Sequence, residues 1–395
     1  MTHLFNLSFL NATIPSQWKQ AIITPIPKIS TPESCSDFRP ISLTPVLARL
    51  LDKYIVRTFI YPIFDHPSYS HLFNNQYAFR PTGSTDAAII SILHHVTHLL
   101  SSQTYVRIIA LDFSKAFDSI RHARILNKVS SISPNDQLYN WLQNYFLNHS
   151  HVTKFSNKIS NSLPITASVF QGSAIGPPMF VVSGIDLKTV HSFNTFDKYV
   201  DDTYLIVPAD GEHTIQAELD NIETWALSNN LKLNKTKSLE MIVFSSNRSR
   251  KACTLPPPLP DIERVDNLKI LGVNISHTLS VEAHVSNVCQ TAKQSMYAVK
   301  LLQSHGMDTL SVYSVFQALI LSRLTYAFPA WGGFCNANEI SQLQSVLNKG
   351  IKWGFYSKSA PSFTEIVNKR EADLFNKIIQ NTNHVLHHLL PPVRA

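Results

Sequence analysis

The sequence predicts a mixed α/β (α+β) protein that ends in a mainly helical segment, and three observations carry that prediction. Short apolar, β-branched runs, of which Tyr105-Val-Arg-Ile-Ile-Ala-Leu-Asp-Phe113 is the clearest, read as largely buried strands. Between them lie stretches with apolar residues at spacings of three and four, as amphipathic helices require. A proline run, Thr254-Leu-Pro-Pro-Pro-Leu-Pro260, then interrupts the mixed section, and the chain beyond it is mostly helical in pattern.

Taken in order, the first hundred residues alternate apolar runs with proline punctuation. Val46 to Phe64 has helical spacing, with Leu47, Leu50, Leu51, Tyr54 and Ile55 assigned to one side. Ser84-Thr85-Asp86 supplies caps for a second helix reaching Leu100. The strand from Tyr105 ends near Asp112. Phe196 to Val200 and Thr203 to Val207 flank Asp201-Asp202 and predict a β-hairpin about that pair. Ile215 to Leu227 reads as a helix and Glu240 to Phe244 as another strand. After the prolines, Val281, Val285, Val288, Ala292, Met296 and Val299 form an amphipathic stripe, and Leu310 to Leu324 repeats the pattern.

Composition narrows the functional classes. With 395 residues, 44% of them hydrophobic and 15% charged, the chain can bury a sizeable core and lies far from disordered compositions. Its 34 Lys+Arg against 27 Asp+Glu give a formal charge of +7, which permits a nucleic-acid partner without requiring one. No glycine-rich phosphate loop of P-loop or Rossmann spacing occurs. Cys35, Cys253, Cys289 and Cys335 are far apart and lack zinc-ligand spacing, so a reducing compartment is the simpler expectation. The amino terminus has no basic n-region and apolar core of a signal peptide. The longest uncharged stretch, Lys158 to Asp186, is too polar and too proline-rich to span a membrane, which takes about 20 apolar residues. An intracellular protein with no membrane partner is expected.

Three aspartates stand where strands end: Asp112 and the adjacent Asp201-Asp202. Carboxylates so placed on neighbouring strands offer an oxygen-only donor set that suits two Mg²⁺ (or Mn²⁺) ions, the arrangement that supports phosphoryl-type displacement. An Asp-Asp pair alone is also an ordinary turn.

The surrounding text sharpens the choice. Leu111-Asp-Phe-Ser-Lys-Ala-Phe-Asp118, Gln171-Gly-Ser-Ala-Ile-Gly-Pro177 and Tyr199-Val-Asp-Asp202 occur in this order and together resemble the A, B and C motifs of reverse transcriptases. Trp18 to Lys28, Phe38-Arg-Pro-Ile-Ser-Leu43 and Gln76-Tyr-Ala-Phe-Arg-Pro81 are similar to the fingers motifs of non-LTR, LINE-type retrotransposon enzymes. Leu233 to Lys237 resembles motif D, Leu271-Gly-Val273 the primer-grip region, and Leu324-Thr-Tyr-Ala-Phe-Pro-Ala-Trp331 the tail of jockey-like elements. The resemblance runs from about Ile14 to Trp353. Departures include Val200 in motif C and Ala78 where Gly is usual.

The resemblance implies a right-hand polymerase: fingers over residues 1–104, an antiparallel palm with helices over 105–245, and a helical thumb with a C-terminal extension over 246–395. It assigns Asp112, Asp201 and Asp202 to the catalytic metals and Lys237 to protonation of the pyrophosphate leaving group. Lys28 and Arg39 would contact the triphosphate, Phe117 would be the steric gate that rejects a 2′-hydroxyl, and Gln171 and Gly172 would lie against nucleotide and template. Leu271 and Gly272 would form the primer grip. Read without the family, Phe117 is equally a core aromatic, and Lys28 and Arg39 are surface charges. The implied function is RNA-directed DNA synthesis on an RNA template from a DNA primer and dNTP. The expected source is a truncated element lacking its endonuclease. A degenerate or co-opted copy that binds RNA or RNA–DNA duplex without catalysis is the alternative. A metal-dependent nuclease is a third reading, which leaves Phe117, Gln171-Gly172 and Lys237 unexplained.

Overall fold

The computed structural model describes residues 1–392 apart from Lys115, Ser133 and Gln171. The expected role of Gln171 therefore falls outside the described residues. Two compact units emerge, each assembled from three stretches of chain. The first comprises Met1–Pro81, Asp112–His191 and Gln216–Asn234, and the second comprises Thr82–Leu111, Ser192–Ile215 and the chain from Lys235 onward.

In the first unit, strand Gln20–Pro27 runs antiparallel to Phe38–Leu43 and parallel to Ser150–Phe155, which also pairs with Lys158–Ile159 and Leu163–Pro164. Prolines at Pro25, Pro27 and Pro40 sit on this register, where a missing N–H is tolerated only toward an edge. Helix Asp136–Phe146 begins at Asn135, whose side chain accepts the Leu138 N–H at 2.7 Å, and it buries Leu138, Trp141, Leu142, Tyr145 and Phe146. Helix Val46–Ile55 continues through a π-helical turn, Val56–Ile60, into Tyr61–Phe64, as its spacing predicts. Its buried face differs from the expected one. Ala48, Leu51, Asp52 and Ile55 face inward, while Leu50 and Tyr54 are 43% and 51% exposed. Counting apolar residues alone overlooked Asp52, whose carboxylate accepts a backbone N–H from Ala174 and so occupies an inward position.

In the second unit, five strands lie in the order Glu263–Arg264, Leu239–Val243, Val106–Leu111, Asp202–Pro208, Thr195–Tyr199. All the pairings are antiparallel except the first, the antiparallel palm-type sheet that the sequence predicts. Side chains alternate across the central strand. Val106 and Ile108 pack with Ile206, Met241 and Val243 against helix Thr85–Leu99, which is capped by Ser84 as expected. The same core continues without interruption into Val285, Val288, Ala292, Met296 and Val299 of helix Glu282–Ser304, and on to Phe316, Trp331 and Leu343. Sheet and C-terminal helices thus share one apolar interior, each fully buried aliphatic or aromatic side chain contributing about 1.5–3 kcal/mol.

Arg107 lies on the opposite face of the central strand and is completely buried. It pairs with Glu240, also completely buried, and with Glu212. Arg264 adds a second cation to Glu240 at 2.7 Å. The two guanidiniums also donate to the Pro257 carbonyl, and Arg264 donates to that of Pro256, so the proline run is tied down inside this unit.

The hairpin near Asp201 is shifted by one residue from the expectation. Tyr199 pairs with Asp202, so Val200 and Asp201 make the turn and Asp202 opens the second strand. Val200 has φ +62°, the single positive φ at the first turn position that a type II′ connection needs. Among the described residues no helix is long and apolar enough to cross a membrane, and the four cysteines are free thiols.

Candidate active site

In the second unit, the register places Leu111 opposite Thr203, and Asp202 opposite Tyr199. Asp112 follows Leu111 in the chain and Asp202 precedes Thr203. The strand ends that carry these motifs therefore meet at the same end of one antiparallel ladder. Asp201 and Asp202 are exposed on the turn, and the Thr203 hydroxyl donates to the Asp201 carbonyl at 3.4 Å. Burial holds the Tyr204 and Tyr199 hydroxyls above the usual phenol range, and the Asp202 carboxylate pushes both in the same direction.

In the first unit, the chain leaving that strand is fastened to the motif D segment. Asn234 N–H donates to the Asp112 carbonyl at 2.8 Å, Ser114 N–H donates to the Lys232 carbonyl at 2.9 Å, and Phe113 bridges to Leu233. Phe117 is half-buried, and its ring stacks on Phe180 at 4.4 Å with planes 8° apart. Phe180 belongs to helix Gly176–Ser183, whose first turn is held by the Ser173 hydroxyl accepting the Gly176 N–H at 2.9 Å. The Val169 N–H donates to the Phe117 carbonyl at 2.7 Å, so the ring and the backbone of Phe117 are fixed by one segment.

Gly172 has φ +122°, and a Cβ there would lie 2.4 Å from the Ser42 carbonyl oxygen. Glycine is therefore required both by conformation and by the close approach of strand Phe38–Leu43. Ala174, two residues on, reaches Asp52, whose carboxyl is pushed up to about 7 by burial despite the opposing effect of that hydrogen bond.

Lys28 and Phe38, Pro40 and Ser42 line a cavity of about 640 Å³ together with Asp118, His151 and Phe170. Arg39 is exposed on the opposite face of its strand, as alternation demands, so the structure does not bring it into the cavity that Lys28 lines. The Lys28 ammonium donates to the Ser36 carbonyl at 2.7 Å. Lys237 is exposed in the second unit, three residues beyond Asn234. Leu271 and Gly272 form the two-residue turn between Asn267–Ile270 and Val273–Ser276, with φ +45° and +93°.

The donor chemistry of Asp112, Asp201 and Asp202 suits a hard divalent cation. Among the described residues, no three His, Cys, Asp or Glu side chains are already gathered at a spacing that would hold an ion. The fit is one of donor type and strand register. Sequence reasoning did not single out Phe180, Asp52 or the Arg107–Glu240 pair. Each needs a partner distant in sequence, and the signals available were an aromatic one turn into the helix that follows motif B and three charges inside apolar runs.

Residues 26–275 match the model of the family described as reverse transcriptase (RNA-dependent DNA polymerase), more than half of the chain. The chain belongs to that family. Among curated proteins it is 24% identical over 426 residues to a probable RNA-directed DNA polymerase from transposon X-element of Drosophila melanogaster, covering 100% of this chain and 46% of the relative. It is 23% identical over 359 residues to the RNA-directed DNA polymerase from mobile element jockey of the same species, covering 87% and 38%. The chain thus spans less than half the length of these non-LTR relatives. Telomerase from Candida tropicalis in complex with a telomeric RNA fragment superposes with a TM-score of 0.50 at 12% identity, over 95% of this chain and 64% of that one. That likeness shows the shared α/β right-hand polymerase fold of this reverse transcriptase-family chain.

Proposed function

We propose that this reverse transcriptase-family chain is the polymerase part of a non-LTR retrotransposon and extends a DNA primer on an RNA template with dNTP by nucleotidyl transfer. The observation that supports this reading is the register of Leu111 with Thr203, the residues next in the chain to Asp112 and Asp202. Asp112, Asp201 and Asp202 would hold two divalent ions, Mg²⁺ or Mn²⁺. Such ions lower the pKa of the primer 3′-hydroxyl and neutralise charge on the triphosphate.

The remaining roles belong to the chain's own side chains. Phe117, braced by Phe180, presents a fixed ring edge to the sugar and excludes a 2′-hydroxyl. Gly172 lets the motif B backbone lie close to strand Phe38–Leu43, where nucleotide and template would be read. Lys28 would supply a cation to the triphosphate from the cavity lining, as a point charge, whereas Arg39, on the outer face of its strand, would meet a phosphate only from that side. Lys237 donates the proton that the pyrophosphate leaving group takes up. Leu271 and Gly272 bear on the primer strand. Functionally, fingers, palm and thumb correspond to residues 1–104, 105–245 and 246–395.

The test is primer extension on a homopolymeric RNA template with a DNA primer, dNTP and Mg²⁺ or Mn²⁺, beside the Asp201→Ala/Asp202→Ala variant. Extension by the wild type and none by the variant supports the reading. A folded wild type that binds the duplex and adds no nucleotide in either metal replaces it with a binding-only copy.

A further inference from the structure

The motif Leu324 to Trp331, which the catalytic reading leaves without a task, contacts the turn at Leu271-Gly272. Ile270 pairs with Val273, so Leu271 and Gly272 alone turn the chain, both with positive φ. Turns of this kind favour Asn-Gly or Gly-Gly because a side chain in the left-handed region is disfavoured. Leu271 carries one there, and its conformation has to be held from outside.

Two tyrosines hold it. The Tyr326 hydroxyl donates to the Leu271 carbonyl at 3.0 Å. Its ring lies over the backbone of the turn, so that a Cβ on Gly272 would sit 3.3 Å from Tyr326 Cε1. From the other side, the Leu271 N–H bonds to the hydroxyl of Tyr204, two residues after Asp202 on the strand that carries it. The turn is thereby tied to the aspartate-bearing strand and to the C-terminal helices at once.

Tyr326 is itself rigidly presented. Ala327 adopts φ +50° and opens the short helix Phe328–Trp331. The fully buried Trp331 donates its indole N–H to the Tyr326 carbonyl at 2.9 Å, and Arg370 donates to the Thr325 carbonyl at 3.1 Å. Tyr326 nevertheless remains 40% exposed. A side chain serving only the core would be covered, and packing alone would not need its hydroxyl.

We infer that Tyr326 is a positioning residue that fixes the Leu271-Gly272 turn where it bears on the primer strand, and so sets how the primer 3′ end is held. The inference rests on the polymerase reading above. Its test is Tyr326→Phe, which keeps the ring and removes the hydrogen bond, with wild type alongside. Two readouts are taken on an RNA-template/DNA-primer duplex: steady-state extension, and fluorescence of a 2-aminopurine at the primer 3′ end. Thermal unfolding is followed in parallel.

The expected result is a KM for the duplex raised roughly three- to ten-fold, as for loss of one hydrogen bond, a smaller fall in kcat, brighter 2-aminopurine, and an almost unchanged unfolding midpoint. Unchanged KM and fluorescence overturn the inference, as does a lowered midpoint with neither readout moved, which marks a structural role. If the wild type binds the duplex without extending it, the polymerase reading fails. The fluorescence comparison then decides the inference alone, brighter in the variant supporting it and equal overturning it.

Discussion

Phe117 and Phe180 lie face to face, their ring centroids 4.4 Å apart and their planes 8° from parallel. One ring follows the Asp112 strand and the other belongs to the motif B helix, so the packing of that helix sets the rigidity of the residue proposed to judge the nucleotide sugar. Phe117→Ala is expected to raise rNTP incorporation sharply. Phe180→Leu, which keeps the bulk and loses the stack, is expected to give an intermediate loss of selectivity worth about 0.5–1.5 kcal/mol. Single-nucleotide kcat/KM for dNTP against rNTP measures both. Full selectivity in Phe180→Leu would separate the stack from the gate.

Gly172→Ala introduces a Cβ 2.4 Å from the Ser42 carbonyl and forces a side chain into φ +122°. A strain of roughly 1–3 kcal/mol is expected, relieved by displacement of the motif B loop. Differential scanning calorimetry should show a lowered midpoint, and extension assays a KM for dNTP that rises more than the stability loss explains.

Asp52 gives a pH dependence with a definite sign. Its carboxyl, ordinarily near 3.8, is pushed up to about 7 by burial, and the titratable group facing it is Tyr145, whose hydroxyl burial raises well above its usual range. A folded-state value above the unfolded one means that the native protein retains a proton the unfolded chain has released. The stability contribution is complete below about pH 4, is lost progressively as pH rises toward 7, and stays lost above it. The full swing has an upper bound on the order of 4 kcal/mol. Asp52→Asn keeps an acceptor for Ala174 and removes the charge. Urea midpoints from pH 4 to 8 should therefore fall more steeply in wild type than in the variant, and the variant should be the more stable at pH 8. Parallel curves would assign the pH response to other groups.

Arg107 and Glu240 form a completely buried ion pair, joined by Glu212 and Arg264. Arg107→Ala leaves the Glu240 charge with one of its two cations and is expected to cost about 3–5 kcal/mol in urea unfolding, as for other broken buried pairs. Arg107→Met with Glu240→Met should recover part of that loss. A double variant no more stable than Arg107→Ala would mean that the bonds from Arg107 to the Pro257 carbonyl and from the Leu259 N–H to Glu240 matter more than the charges.

Much of this architecture could be read from local pattern. Val106 to Leu111 is apolar and β-branched, Ser84 caps its helix, and the stripe through Val285 and Met296 follows the helical period, because each depends on neighbours within one or two turns. The hairpin was displaced by one residue because Val200, a poor turn former, takes the left-handed position that Asp-Asp suggested for itself. The buried face of Val46–Ile55 departs from its apolar pattern because Asp52 turns inward toward Ala174, more than a hundred residues away. The site followed the same rule. Motif spacing picks out Asp112, Phe117 and Gly172 as candidates and includes Tyr326 in the Leu324–Trp331 motif, whereas the stacking of Phe180 on Phe117 and the bond from Tyr326 to Leu271 join residues far apart in sequence.

The claim at the centre of this account is that Asp112, Asp201 and Asp202 act as one unit. Single-nucleotide primer extension by Asp112→Asn, Asp201→Asn, Asp202→Asn and the triple variant, each first shown to fold, tests it most directly. Residues that share one catalytic task are grossly non-additive. The account predicts that Asp112→Asn alone abolishes nearly all turnover, and that the triple variant loses no more than the most damaging single one. Undiminished extension by Asp112→Asn, or losses that simply multiply across the three, would contradict it.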